Sequence, residues 1–232
     1  PGNASLTLAG DVDPEPAFEL ERRYFDGIPS GKPTPAVVGV AQSQAEGQET
    51  AKASYLLLED RIELPRLYLA WRTPPLFAAG DAGMDMVADV LTGGKTSRLY
   101  RTLVYDRRLA TDVNAAQGSR ELAGWFCISA TAAPGHELAE LEKVIADEVE
   151  ILAAQGPEDW EIERSLAQVE AQFVYRLQTV GGFDGRSDQL NAYNVFTGDP
   201  GFMAQDRNRY RDITAGLVQE LASTQLNVGG RV

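Results

Sequence analysis

An α+β fold is predicted, with a mainly antiparallel sheet flanked by helices. Three observations carry it. Strand-like and helix-like stretches do not alternate strictly, which argues against a doubly wound parallel sheet. Two strand-like runs, Asp112–Ala116 and Gly124–Ala132, are joined by the turn-rich QGSRELAG and read as a pair. Long helix-periodic stretches follow one another, their apolar residues three and four apart.

Taken in order, Ser5–Gly10 alternates and predicts a strand. Asp13 as N-cap and Pro14 at the first helical position open a helix. Phe18, Tyr24 and Phe25 supply its apolar side, and it stops before Gly27. The Pro/Gly-rich Ile28–Pro35 predicts a linker, and the polar Ala41–Thr50 an exposed stretch. Tyr55–Leu58 and Arg66–Thr73 predict strands, the second with Leu67, Leu69 and Trp71 on one face. Asp81–Leu91 predicts a helix with Met84, Val87, Ala88 and Leu91 inward, ended by a left-handed stop at Gly93-Gly94.

A helix from Ser97 to about Arg108 follows, capped by Thr96 or Ser97, with Leu99, Leu103 and Val104 inward. After the strand pair, Pro134 opens a long helix that Gly156-Pro157 ends. Its inner stripe is Leu138, Leu141, Ile145, Val149 and Leu152. The next helix, Glu158 to Thr179, carries Trp160, Leu166, Val169, Phe173 and Leu177, and GGFDG breaks it. Shorter helices are expected near Ser187–Val195, over Pro200–Tyr210 and from Thr214, with Leu217, Val218 and Leu221 inward in the last. LNVGGRV reads as the start of a final strand cut short.

Composition removes several functions. With 34 acids against 21 bases the net charge is -13, which repels phosphate backbones and anionic lipid. Nucleic acid is therefore not an expected partner, whereas a basic peptide would be attracted. No apolar run approaches the roughly 20 residues a membrane helix needs, so membrane insertion is not expected. The 232 residues suit one large domain, or one and part of another. The chain has no initiator Met and no leader pattern at its start, and reads as a processed or excised product.

There is one cysteine, so no internal disulfide forms; Cys127 lies in an apolar run and reads as a structural thiol. There is one histidine. An H-E-x-x-H or H-x-x-E-H zinc site needs two. His136, in PGHELAE, reads as a solvated first-turn residue, and the Glu161/Glu163 pair as a solvated face.

Gly94-Lys95-Thr96 looks like the end of a phosphate loop, but the pattern needs a glycine five residues earlier, where Asp89 stands, and a preceding strand where a helix is predicted. Gly181–Gly185 lacks G-x-G-x-x-G spacing and reads as a break between helices.

The stretch DMVADVLTGGKTSRLYRTLVYDRRLATDV resembles the non-catalytic unit of insulinase/pitrilysin-type zinc metallopeptidases, the family that includes the mitochondrial processing peptidases. Its pattern L-x-x-x-L-x-G-G-x-x-S-R-L-x-x-x-L-R-E-x-x-G-L-A-Y is matched at Val87, Leu91, Gly93, Gly94, Ser97, Arg98, Leu99, Leu103, Leu109 and Ala110. GWFCISATAAPGHELAELEKVIADEVEILAAQGP continues the likeness, and LTLAGDVDPEPAFELERRYFDGIPSGKP resembles the close of a preceding unit.

The resemblance implies paired α+β units around a peptide-binding chamber. It divides the chain into the tail of a catalytic-type unit (1–27), a linker with an exposed segment (28–50) and a non-catalytic second unit (51–232). The family's H-x-x-E-H is absent, and its substrate-holding Arg and Tyr fall on Val104 and Thr111. No metal or catalytic residue is therefore expected in this chain, zinc is expected in the parent protein, and the chain alone is expected to be inactive. Gly93, Gly94, Ser97, Arg98 and Leu99 are expected to be structural. The implied partners are the catalytic unit of the same parent chain and a peptide substrate. Bacterial relatives lean towards the periplasm. The alternative reading is a scaffold or peptide-binding protein of the same fold that has lost its chemistry.

Overall fold

The computed structural model describes residues 2–32, 35 and 53–232. The expected linker and exposed segment at 28–50 therefore lie outside the described residues, apart from 28–32 and 35. The described chain divides into two compact units.

The larger unit lies within Gly39–Gln168 and Arg209–Val232. At its centre are strands β1 (Arg66–Thr73), β2 (Ala110–Gly118) and β3 (Gly124–Ala132) in the order β1-β3-β2, every neighbour antiparallel. This is the fold class that the sequence pattern predicts. One sheet face is apolar and buried: Leu69 and Trp71 from β1, Val113 and Ala115 from β2, Phe126, Ile128 and Ala130 from β3. Helices α2 (Asp81–Thr92), α3 (Leu138–Gln155) and α7 (Ala215–Gln225) belong to the same unit; α2 packs on β2 and α7, and α3 on α7 and β1. Met84, Met86, Val87 and Leu91 of α2 and Leu141, Ile145 and Leu152 of α3 are buried, each stabilising the fold by roughly 1.5–3 kcal/mol.

A buried acid fastens the loop before α2. Asp81 accepts from the Phe77 N–H at 2.9 Å and from Arg209 at 2.8 Å, and also bonds Ser119. That holds Phe77 at φ 63°, a left-handed value rare for a bulky side chain.

The smaller unit lies within Pro1–Val38 and Val169–Asn208. It holds α1 (Pro14–Phe25), the later turns of α4 (Asp159–Gln178), α5 (Arg186–Thr197) and the first turns of α6 (Met203–Arg211). Asp13 caps α1 through the Glu15 N–H. Tyr193 is its buried anchor, donating to Asp206 at 2.8 Å and accepting from Gln189 at 2.7 Å. Burial, and then the Asp206 carboxylate, push the Tyr193 phenol above its usual range.

Several sequence expectations change. Ser5–Gly10 and Tyr55–Leu58 form no strand; among the described residues neither has the partner ladder a strand needs. The helix expected from Pro134 begins at Leu138, because Gly135 turns left-handed at φ 87° and Glu137 caps it in a reciprocal box with Glu140. The helix expected from Ser97 widens into a π-helix over Tyr100–Asp106.

Candidate functional site

The motif residues sit on one turn and the helix after it. Helix α2 ends as the Gly93 N–H bonds the Asp89 carbonyl. A Cβ on Gly93 would stand 2.1 Å from the Asp89 carboxylate, so this position is closed to any side chain. Gly94 has open space around it but adopts φ 85°, the left-handed conformation glycine tolerates best. Ser97 is buried, and its hydroxyl donates to the Gly94 carbonyl at 2.7 Å. Ser97 stands just before the helical turn that opens at Arg98, its carbonyl accepting from the Arg101 N–H at 2.9 Å, but its side chain points back into the turn, and Thr96 accepts from Arg164 at 3.3 Å. Leu99 is fully buried behind the turn.

Arg98, one of the positions expected to be structural, is held by partners distant in the sequence. It grips Glu161 with two bonds, of 2.8 and 2.5 Å, and donates to the Gly156 carbonyl at 3.0 Å. The expectation that Glu161 lies on a solvated face is overturned: its side chain is 3% exposed. Burial pushes the Glu161 carboxyl up, but the Arg98 guanidinium and the Glu158 N–H outweigh it and hold the group below the usual range. Arg98, hydrogen-bonded to Glu161, is held above its own ordinary value.

Next to this pair, Asp89 bonds Ser165 and takes Arg164 at 3.5 Å, so the start of α4 is stitched to the end of α2. One signal in the sequence pointed to Glu161. It stands three residues after Glu158 at a helix start, the capping-box spacing, and the Glu158 N–H does donate to it at 2.8 Å.

Val104 and Thr111, the positions of the family's substrate-holding pair, lie in an irregular backbone. Val104 is half-buried within the π-helix, which closes with a bond from the Arg107 N–H to the Thr102 carbonyl. Arg108 follows at φ 55°, left-handed, where the family pattern has glycine. The register between β2 and β3 then shifts between Ala110 and Asp112, making Thr111 the extra residue of a bulge. π-turns and bulges recur at functional sites and re-aim side chains. Here they present an aliphatic group and an exposed hydroxyl, which can neither balance an oxyanion nor coordinate a metal tightly.

The sheet face away from the helices is open. Arg66 and Tyr68 of β1, Asp112 and Asn114 of β2 and Trp125 of β3 are exposed on it, around the smaller Ala70, Ala116, Cys127 and Ser129. Arg66 lies 3.6 Å from Asp112 and over the Tyr68 ring. Burial pushes the Cys127 thiol up, which keeps it protonated and a poor nucleophile at neutral pH. His136 pairs with Glu140 at 3.2 Å beside the α3 cap. Among the described residues no three His, Cys, Asp or Glu side chains converge on a point that could hold a metal ion.

Comparison with known proteins adds to this geometry. Residues 1–169 match the family described as Peptidase M16 inactive domain. The zinc protease PqqE of Helicobacter pylori is 24% identical over 183 residues, which cover 77% of this chain and 40% of that protein. A crystal structure of a protease from Helicobacter pylori superposes with a TM-score of 0.79 at 20% identity, over 96% of this chain and 52% of that one. The peptidase M16 inactive domain from Pseudomonas fluorescens gives 0.74 at 17% identity, over 96% and 50%. At such identities the structures establish a shared fold, and the chain spans about half the length of these relatives, or less.

Proposed function

The chain belongs to the family of peptidase M16 inactive domains, the insulinase-type metallopeptidases, and from that premise we propose that it lines the substrate chamber of a zinc-dependent endopeptidase whose metal site lies outside it. The observation that carries this reading is the pairing of family membership with Val104 and Thr111 at the substrate-holding positions. The π-helix, left-handed residue and bulge that would aim such a pair are present, and its chemistry is not. Gly93, Gly94, Ser97, Arg98 and Leu99 act in this proposal as a scaffold turn. The open sheet face serves as a chamber wall against which an extended peptide lies.

The division at 27 and 50 is part of the same proposal, with 1–27 packing on the catalytic unit of the parent chain. None of the residues of α1 is buried, and Leu6, Leu8, Leu20, Tyr24 and Phe25 line an open apolar groove of about 430 Å³. Apolar surface of that kind marks a docking face.

The test is zinc content together with cleavage of an unstructured basic peptide. This chain alone should hold no stoichiometric zinc and cleave nothing. The parent protein should do both, and lose the cleavage to a chelator. Zinc near one per chain in this segment would overturn the assignment. A parent that is inert and lacks H-x-x-E-H would leave the scaffold reading in its place.

A further inference from the structure

The open sheet face is not flat. Antiparallel register sets its side chains in rows across the three strands, successive rows two residues apart along each strand. One row is Tyr68, Ser129 and Asn114; the next is Ala70, Cys127 and Ala116; the third is Arg72, Trp125 and Gly118. The middle row is small throughout, so a trough crosses the sheet between two taller rows. Tyr68 and Trp125 stand on its two sides, four residues of strand or roughly 13 Å apart.

Both rings are placed by their neighbours. A Cβ on Gly118 would meet Trp125 Cε2 at 2.1 Å and both Cζ2 and Nε1 at 2.4 Å. Distances so nearly equal put that point above the ring rather than beyond its edge. The indole therefore lies face-down on Gly118 with its other face outward, and Trp125 is 44% exposed. Arg66 covers one face of the Tyr68 ring, its Cζ 5.4 Å from the centroid, and leaves the other face uncovered.

Charge narrows the occupant. Arg66 already holds the cation position on Tyr68 and pairs with Asp112 at 3.6 Å, one row outside the trough. Arg72 is the one charged residue in the three rows, and it repels a cationic side chain. What borders the floor is otherwise aromatic faces, methyl groups and a thiol that burial keeps protonated.

We propose that this trough is a side-chain subsite, and that its occupant is one large apolar residue of a peptide lying extended on this face. The proposal rests on the reading of the face as a chamber wall and adds the residue type that the wall selects. Trp125 stacks on the inserted side chain. Tyr68 closes the opposite side, and Ala70, Cys127 and Ala116 form a floor low enough to admit it. A few aromatic anchors around a small apolar recess carry most of the energy in recognition of this kind.

Cys127 is the sole thiol of the chain and lies on the floor, so its alkylation reports occupancy. An unstructured basic peptide carrying one Phe is compared with the same peptide carrying Ala or Glu in its place. Affinity is read by calorimetry, and the Cys127 rate with iodoacetamide at mildly alkaline pH. The Phe peptide should bind about tenfold more tightly than the Ala peptide, and at saturation it should slow alkylation by at least that factor. Ala116→Leu, which fills the floor from the solvent side, should remove the preference, and Trp125→Phe should keep most of it. Phe and Ala peptides that bind equally and shield Cys127 equally would leave the chamber wall standing and remove the subsite. Binding of neither, with alkylation unchanged, would remove the wall as well. A Phe preference that leaves Cys127 unshielded, or that persists in Ala116→Leu, would overturn the proposal by placing the selectivity elsewhere. A Glu peptide that matches the Phe peptide would overturn it too, by assigning the trough to Arg72.

Discussion

At residue scale, two positions carry the scaffold turn for different reasons. Gly94 is conformational, with open space but φ 85°. Gly94→Val should therefore cost about 1–2 kcal/mol, read from the urea midpoint. ATP should leave the melting temperature of either protein unchanged, and a rise would revive the phosphate-loop reading. Glu161 is electrostatic. Its carboxyl is held below the usual range in the folded chain, so its stabilisation is complete above the unfolded value of about 4.3 and fades as pH falls through the folded value. Glu161→Gln leaves Arg98 without its charge partner, and about 3 kcal/mol should be lost at pH 7. The gap between variant and wild type should narrow towards pH 3. A gap constant over that range would show that the pair acts by shape alone.

At the scale of elements, the β2–β3 ladder depends on a cross-strand fit. Gly118 faces Trp125, and a Cβ there would stand 2.1 Å from the indole. Gly118→Ala should displace the ring, cost about 1–3 kcal/mol as overpacking does, and change the near-ultraviolet circular dichroism. An unchanged spectrum with unchanged stability would mean that the ring does not rest on the strand. The ends of α2 and α4 are joined in another way, through Asp89, Ser165 and Arg164, so the turn between α2 and the π-helix is braced from outside as well as by its own glycines.

At the scale of the whole molecule, the smaller unit keeps much of its apolar surface exposed, with Leu20 and Tyr24 of α1 both more than half exposed. If 1–27 completes the preceding unit, the double variant Leu20→Glu, Tyr24→Lys should weaken association with a separately made upstream half by at least tenfold, by calorimetry. The melting of this chain alone should barely move. Unchanged association would separate α1 from that interface.

The sequence alone determined the α+β class and the limits of Arg66–Thr73 and Gly124–Ala132. These follow from local causes: a two-residue alternation, a three-to-four-residue stripe, a proline or glycine at an end. It also excluded an H-x-x-E-H zinc site, since that is a matter of counting histidines. Tertiary structure decided what depends on distant partners. Ser5–Gly10 and Tyr55–Leu58 have strand-like sequences but no ladder among the described residues, because a strand exists only where another backbone pairs with it. Glu161 looked like one acid among 34, and only folding brings Arg98, 63 positions away, to neutralise it in a buried place. The bulge at Thr111 and the π-helix around Val104 were equally hidden, since register and helix winding are set by what packs across them.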